Sequence, residues 1–219
     1  FERTNKFLED PFVASGTADD FDYKGSGFDR GHLAPAADMG WSEATMKESF
    51  YYSNMSPQVP AFNRGIWKKL EEQVRSWAQD YDSLYIVTGP VLKDGLPKIG
   101  HNEVSVPSYF YKVILDYTLP YVKAIGFILP NESSTESLHH FAVSIDSVEK
   151  FTGFNFFPQL PDIKEKELER QLCLSCWSWD TKAIVRKSQH KSSGSSIQCK
   201  GTTKAGNRCR NNTKNSSGF

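Results

Sequence analysis

The stretch FDRGHLAPAADM at residues 28–39 places an aspartate, an arginine and a histidine in one short run. A glycine and a proline interrupt the run, and this pattern predicts a hairpin. An unperturbed histidine has a pKa of about 6.5, so His32 can take a proton from water near neutral pH. Arg30 supplies a fixed cation that suits phosphate oxygens. Two roles are open for Asp29: a catalytic one, or holding the turn through backbone amides.

The segment from residue 63 to residue 81 has the apolar period of an amphipathic helix. Its apolar residues fall at helical spacing between charged ones: Trp67, Leu70, Val74, Trp77 and Ala78. This pattern predicts a helix of about five turns. Asn63, Trp67 and Glu71 are spaced i, i+4, i+8 and share one helical face, so the two polar members can meet one ion or its water shell.

The rest of the chain has the pattern of an α+β protein with an antiparallel sheet. Strands are predicted at residues 84–88, 109–117 and 121–129, and helices are predicted after Ser42 and at residues 144–151 and 164–179. Residues 17–27 are predicted to form a loop. Three histidines are expected to be structural: His101 in a glycine-rich loop, and the exposed pair His139 and His140.

Charge is unevenly distributed along the chain. The net charge is zero, yet nine lysine or arginine residues and no acidic residue follow Asp180, so residues 1–180 carry −9. Such a basic tail can bind a polyanion by releasing counterions, or it can be a solvated segment without a partner. Past Lys187 the chain is mostly Ser, Lys, Gly, Asn and Thr, which predicts a domain at residues 1–186 and a tail at 187–219.

The four cysteines lie at the end of the domain and in the tail: Cys173, Cys176, Cys199 and Cys209. Their spacing leaves a structural Zn²⁺ site, two disulfides or a mixture open. The segment from Cys199 to Cys209 resembles a small bacterial cysteine-rich motif whose continuation would lie past the last residue. This resemblance implies that a metal module has been cut in half. Separately, the start Phe1-Glu2-Arg3 resembles neither a signal peptide nor a natural start, so we expect that the chain has been trimmed or processed before its first residue.

Six segments follow one another along the chain: DRGHLAPAADM, SNMSPQ, FNRGIWKKLE, YIVTGP, VPSYFYKVIL and VSIDSVEKFTGFNFFPQLP. Together and in this order they resemble the DNA/RNA non-specific endonucleases of the ββα-metal superfamily, which include secreted bacterial nucleases and mitochondrial endonuclease G. The resemblance covers most of residues 28–161. It implies a ββα-metal nuclease fold with an antiparallel sheet core flanked by helices, an active-site hairpin and a long metal-binding helix. Residues 1–186 would form the endonuclease domain.

The resemblance implies a role for six residues. His32 matches the catalytic general base, Asn63 the single side-chain metal ligand, and Glu71 the acid that holds metal-bound water. Arg30 matches a residue that contacts the scissile phosphate, Asn54 a polar residue that supports the site, and Arg3 an upstream phosphate-binding arginine.

A single neutral oxygen ligand suits Mg²⁺, which usually keeps several waters, and Mn²⁺ is expected to substitute for it. Zinc would demand three or four His, Cys or carboxylate ligands, which the sequence near His32 does not offer. The implied function is a Mg²⁺-dependent, sugar-non-specific endonuclease. It would hydrolyse double- or single-stranded DNA and RNA and leave 5′-phosphates, and it could act as a homodimer.

Two alternatives share this fold. A nucleic-acid-binding protein without catalysis would be expected to lack His32 or Asn63, and both are present. A mitochondrial cell-death nuclease would share the chemistry and differ in location. We expect a secreted or periplasmic bacterial location, with the mitochondrial intermembrane space as the alternative. No run of about 18 apolar residues occurs, so no membrane-spanning segment is expected.

Overall fold

The computed structural model describes residues 1–81 and 83–179, together with the backbone of residues 197–198 and 212–213. The chain divides into one unit at Phe1–Trp179 and another at Asp180–Phe219. Helices of the first unit are α1 (Asp20–Tyr23), α2 (Glu43–Glu48), α3 (Pro60–Phe62), α4 (Lys68–Asp80), α5 (Leu138–Phe141), α6 (Ile145–Thr152) and α7 (Asp162–Arg170). Its strands are β1 (Asp29–His32), β2 (Met55–Gln58), β3 (Leu84–Pro90), β4 (Lys98–Ile99), β5 (Val104–Ser105), β6 (Tyr109–Asp116), β7 (Lys123–Pro130) and β8 (Ala142–Val143). In the second unit, β9 (Ile197–Gln198) and β10 (Asn212–Thr213) pair antiparallel.

The core of the first unit is a four-stranded antiparallel sheet in the order β3-β6-β7-β8, which confirms the sheet predicted from sequence. Side chains alternate across a strand, so β6 supplies both faces. Phe110 and Ile114 pack with the apolar face of α4, whereas Val113 packs with Ile145 and Val148 of α6. The central strands β6 and β7 are therefore mostly buried on both faces.

The long helix is present where the sequence predicted it, with one irregularity. Helix α3 leads into a π-helical turn at Asn63–Trp67, and α4 continues from there. Gly65 within the turn has φ −104° and ψ −109°, outside the helical region. Trp67 is fully buried against the sheet and anchors this stretch. Single π-helical turns of this kind are frequent at functional sites.

A two-stranded antiparallel ribbon of β1 and β2 carries the DRGH segment and lies outside the main sheet. A Cβ atom at Gly31 would overlap the side chain of Gln58, which is fully buried. Glycine therefore permits the close approach of the two strands. The predicted hairpin is thus an antiparallel pair, although 22 residues separate β1 from β2.

The prediction of one helix over residues 164–179 is wrong beyond Arg170, where α7 ends. The chain then turns back onto α4. The rings of Trp77 and Trp177 lie 4.5 Å apart, and the Trp77 indole donates a hydrogen bond to the carbonyl of Ser178. Burial of a tryptophan thus overrides the local helical pattern. Residues 17–27, predicted as a loop, similarly contain the single turn of α1.

Cys173 and Cys176 form a disulfide with their Cα atoms 5.4 Å apart. One of the open alternatives for the cysteines, a disulfide, therefore holds for this pair. Cys199, Cys209 and the side chains of the basic tail lie outside the described residues. Of the helices in the described part of the chain, none is long and apolar enough to cross a membrane.

Candidate active site

A cleft of about 580 Å³ opens between the β1-β2 ribbon, the N-terminal segment and the start of the long helix. Its lining is rich in cations and includes five of the six residues singled out from the sequence. The polar lining residues are Arg3, Asn5, Asp29, Arg30, His32, Asn63, Arg64, Lys68, Glu71 and Arg75.

His32, at the end of β1, is buried to 9% exposure on the wall of this cleft. Its ring packs edge-on against Phe50 at 4.9 Å, and Nε2 has no hydrogen-bond partner among the described residues. Burial, reinforced by the positive charge of Arg3, lowers the pKa of His32 to about 4. The imidazole is therefore neutral at neutral pH and can accept a proton.

Arg30 lies two residues before His32 on the same face of β1. Its Nε donates to the hydroxyl of Tyr52 at 3.0 Å, and its Nη2 donates to the Asp20 carboxylate at 2.7 Å. The guanidinium also stacks over the ring of Phe7 at 4.9 Å. These contacts fix the guanidinium in the cleft wall with a cationic face toward the open volume.

Asp29 ties the ribbon to the π-helical turn. Its carboxylate accepts hydrogen bonds from Asn63 Nδ2 at 2.9 Å and from Arg64 Nε and Nη2 at 2.8 and 2.6 Å. The contacts with backbone amides of the turn, one of the two roles left open, are replaced by these side-chain donors. Because a carboxylate only accepts, it selects the amide nitrogen of Asn63 and leaves Oδ1 as the atom available to a cation.

Glu71, in the first turn of α4, lies further along the same cleft. Burial raises its pKa to about 7, although Lys112 and Arg75 oppose that shift. Lys112 is almost fully buried, and its Nζ donates to Thr88 at 2.6 Å. Burial lowers the pKa of Lys112 to about 8, while Glu71 opposes the change. Glu71 thus lies in a low-dielectric pocket where a cation would favour its ionised form.

Asn54 and Arg3 lie in different places relative to the cleft and make different contacts. The Asn54 amide accepts from the backbone N–H of Ala34 at 2.9 Å and donates to the carbonyls of Ala34 and Ser49. It therefore supports the loop that follows His32 from behind the cleft. Arg3 is exposed at the rim, with its guanidinium 5.4 Å from the centre of the Phe50 ring.

The histidines expected to be structural lie away from the cleft. His101 is in a loop, as predicted, with its ring nitrogens 3.4 and 3.5 Å from the carboxylates of Asp19 and Asp22. Asp22 is itself saturated by N–H donors, two of them from Asn102. His139 and His140 are exposed in α5, just before β8.

Sequence reasoning missed the residues that hold the others in place. Asp29 orients Asn63, and Lys112 with Arg75 sets the charge environment of Glu71. One signal was available: Lys112 stands alone within an otherwise apolar strand pattern, FYKVIL, at residues 110–115. A lysine at such a position must find a polar partner inside the protein.

The chain matches the DNA/RNA non-specific endonuclease family over residues 2–163. It belongs to this family. The resemblance drawn from six sequence segments is thereby confirmed. Among solved structures, this chain is similar to a crystal structure of the EndoG/EndoGI complex, with 34% identity and a TM-score of 0.66 over 71% of this chain and 70% of that one. The α+β fold with a ββα-metal nuclease architecture is therefore confirmed as well.

Curated relatives of this chain include mitochondrial endonuclease G of Bos taurus, 40% identical over 70% of this chain and 56% of the relative. Nuclease C1 of Cunninghamella echinulata var. echinulata is 42% identical over 71% of this chain and 68% of the relative. The mitochondrial nuclease of Saccharomyces cerevisiae is 37% identical over 69% and 52%. The chain spans about half the length of most of the curated relatives it matches.

Proposed function

We propose that this chain is a metal-dependent, sugar-non-specific endonuclease that hydrolyses phosphodiester bonds within DNA and RNA. One observation carries the proposal. A buried, neutral histidine, whose Nε2 has no hydrogen-bond partner among residues 1–81 and 83–179, lies in a cleft lined by arginines and by Asn63 and Glu71. A proton acceptor beside fixed cations is the arrangement that phosphodiester hydrolysis needs.

In this proposal His32 is the general base. Its Nε2 accepts a proton from a water molecule in the cleft, and the resulting hydroxide attacks phosphorus in line with the departing 3′ oxygen, which leaves a 5′-phosphate. Burial excludes competing water from the imidazole and keeps it unprotonated. The low pKa makes His32 a weak base in the ground state, and the negative phosphate that binds beside it favours the charged imidazolium formed after transfer.

Arg30 holds phosphate oxygens in the attacked position. Its guanidinium is already fixed by Tyr52, Asp20 and Phe7, so little conformational entropy is lost when substrate binds. Arg3, at the rim, supplies a second and more mobile cation. Both contact the sugar-phosphate backbone, which DNA and RNA share, so base identity and the 2′-hydroxyl are not read.

The donor set fits a hard divalent cation, and we propose Mg²⁺, with Mn²⁺ able to replace it. Asn63 would offer Oδ1, which Asp29 leaves free, and Glu71 would hold a water of the ion's shell. Such an ion, when bound, neutralises charge that builds on the phosphate and on the leaving oxygen. A neutral amide with one carboxylate suits an ion that keeps most of its waters and does not suit Zn²⁺.

We infer a mitochondrial location in place of the secreted bacterial one expected from the sequence, because relatives from cattle, zebrafish and yeast carry mitochondrial names.

We also propose that the chain forms a homodimer and that it divides into a domain at residues 1–186 and a tail at 187–219. Light scattering at several protein concentrations would report the oligomeric state.

Incubation with supercoiled plasmid and with single-stranded RNA, with Mg²⁺ and with EDTA, tests the proposed function. We expect both polymers to be cut internally with Mg²⁺ and neither with EDTA. Binding without cleavage under every metal condition would instead support a non-catalytic nucleic-acid-binding protein. End labelling of the products distinguishes 5′-phosphates from 3′-phosphates.

A further inference from the structure

Four carboxylates face one another between α6 and α7, and none of them lines the cleft. Helix α6 carries Asp146 and Glu149 three residues apart, and α7 carries Glu165 and Glu169 four residues apart. Each spacing puts its pair on one helical face. One oxygen each from Asp146, Glu149 and Glu169 lies within 4.8 Å of the others. We call these four residues the α6-α7 acidic cluster.

No basic side chain balances this cluster. Among residues 1–81 and 83–179, none of the ion pairs involves any of the four carboxylates. Like charges at this separation repel one another, and the repulsion grows where water is excluded. The cluster therefore needs a positive partner that residues 1–81 and 83–179 do not supply, or a proton.

Glu169 points to a ligand independently of the other three residues. It is only 7% exposed, and its Oε1 has no hydrogen-bond donor in the described part of the chain. Buried carboxylate oxygens nearly always have a partner in native proteins. The Oε1 atom of Glu165 is buried and unpartnered in the same way.

Electrostatics and local geometry agree with a missing cation. Burial, the charges of Glu149, Glu165 and Asp146, and a hydrogen bond with the Glu149 carboxyl group raise the pKa of Glu169 to about 7. Glu149 is held in place because its Oε1 accepts a hydrogen bond from the backbone N–H of Phe156 at 2.8 Å. Its other oxygen is thus positioned before any ligand arrives, which reduces the entropy lost on binding.

We propose that the α6-α7 acidic cluster binds a divalent cation of the Ca²⁺ type, distinct from the ion of the cleft. All its donors are carboxylate oxygens, which Ca²⁺ prefers. Ca²⁺ ligands lie at about 2.3 to 2.6 Å from the ion, so its oxygen ligands stand at most about 5 Å apart, and three oxygens within 4.8 Å of one another can share one such ion. Mg²⁺ keeps several of its waters and is usually bound by one or two carboxylates, so a group of four carboxylates suits it less well.

The bound ion would fasten α7 to α6. Directly after α7 comes the segment that places Trp177 against Trp77 of α4. Binding would thus stabilise the folded domain, because an ion that binds only the folded state shifts the unfolding equilibrium. Catalysis would be unaffected at temperatures where the domain is folded.

Thermal unfolding with and without Ca²⁺ tests this proposal. The full chain carrying Asn63→Ala is the starting protein, because this change weakens the cleft site. The protein is stripped with EDTA, dialysed and melted at pH 8 with increasing Ca²⁺. Glu169→Gln is compared with Glu167→Gln, a matched control that changes an exposed glutamate on the same helix. Calorimetric titration with Ca²⁺ at a fixed temperature gives the stoichiometry directly.

We expect Ca²⁺ at about a hundred times its Kd to raise Tm by roughly 5 to 10 °C in the starting protein and in the Glu167→Gln control. Glu169→Gln should lose this response and have a higher Tm without metal, because repulsion is relieved. The proposal is overturned if Ca²⁺ leaves the Tm of the starting protein unchanged and gives no calorimetric binding. It is equally overturned if Glu169→Gln retains the full shift.

Discussion

Replacing Asp29 by alanine removes the group that orients the proposed metal ligand. The carboxylate receives Asn63 Nδ2 at 2.9 Å and a two-pronged contact from Arg64. Without it, the Asn63 amide can rotate, and its oxygen no longer faces the cleft in a fixed direction. Losing a residue that orients a metal ligand typically weakens metal affinity or activity by about 10- to 100-fold. We expect that loss for Mg²⁺.

The effect on stability can be divided between the two contacts. The Arg64 side chain is 72% exposed, so solvent screens its ion pair and the pair contributes little to stability. The Asp29 side chain is only 16% exposed, and a hydrogen bond from an amide to a charged acceptor contributes about 1.5 to 3 kcal/mol. We therefore expect Asp29→Ala to lower the free energy of unfolding by about 1.5 to 3 kcal/mol.

Plasmid cleavage measured over a range of Mg²⁺ concentrations reports the metal affinity, and chemical denaturation reports the stability. Arg64→Ala is the matched control, because it removes the exposed partner of Asp29 and leaves the contact with Asn63. The control should shift the Mg²⁺ midpoint far less than Asp29→Ala does. An unchanged midpoint in folded Asp29→Ala protein would refute the idea that Asp29 orients the metal ligand.

Three further predictions follow from the cleft, the ribbon and the tail. The pKa of His32 is about 6.5 in the unfolded chain and about 4 in the folded protein. Between pH 6.5 and pH 4 the unfolded state therefore binds more protons, and the free energy of unfolding decreases as the pH falls through this range. His32 alone contributes about 3 kcal/mol to this decrease in the free energy of unfolding. Urea unfolding at pH 6.5 and pH 4 should therefore show a smaller decrease for His32→Ala than for the parent protein. Gly31→Ala should destabilise the domain by more than about 1 kcal/mol, because the added Cβ atom overlaps the buried side chain of Gln58. Thermal melting measures this change, and an unchanged Tm would show that the ribbon accommodates the Cβ atom without loss of stability. Truncation after about Lys187 should keep cleavage at saturating substrate and raise KM at low salt, because removing one phosphate-binding cation reduces the slope of log affinity against log salt by about 0.9. An unchanged KM at two salt concentrations would contradict a role of the tail in substrate affinity.

Local patterns in the sequence were sufficient to predict the long helix beside the cleft and the strands of the main sheet. The 3.6-residue period from Trp67 to Ala78 encodes α4, because its apolar face must be buried against the sheet. The strands at 84–90, 109–116 and 123–130 followed from runs of β-branched and aromatic residues closed by proline or glycine.

Local sequence patterns did not predict the contacts between residues that are distant in the chain. The roles open for Asp29 were a catalytic one or one within its own turn, yet its partners lie 34 and 35 residues further along the chain. The sequence pattern predicted that α7 would continue to residue 179. The helix ends at Arg170 because Trp177 is buried against Trp77, which lies 100 residues earlier in the chain. Such partners depend on how the elements pack, which local periodicity does not encode.

Substitution of His32 by alanine, assayed by plasmid cleavage at saturating Mg²⁺, tests the central claim most directly. The variant should keep a cooperative thermal transition and lose at least about 10²-fold in cleavage rate, as expected when a general base is removed. His140→Ala, which changes an exposed histidine away from the cleft, should cleave as the parent does. Parent-like cleavage by folded His32→Ala protein would contradict the assignment of His32 as the base.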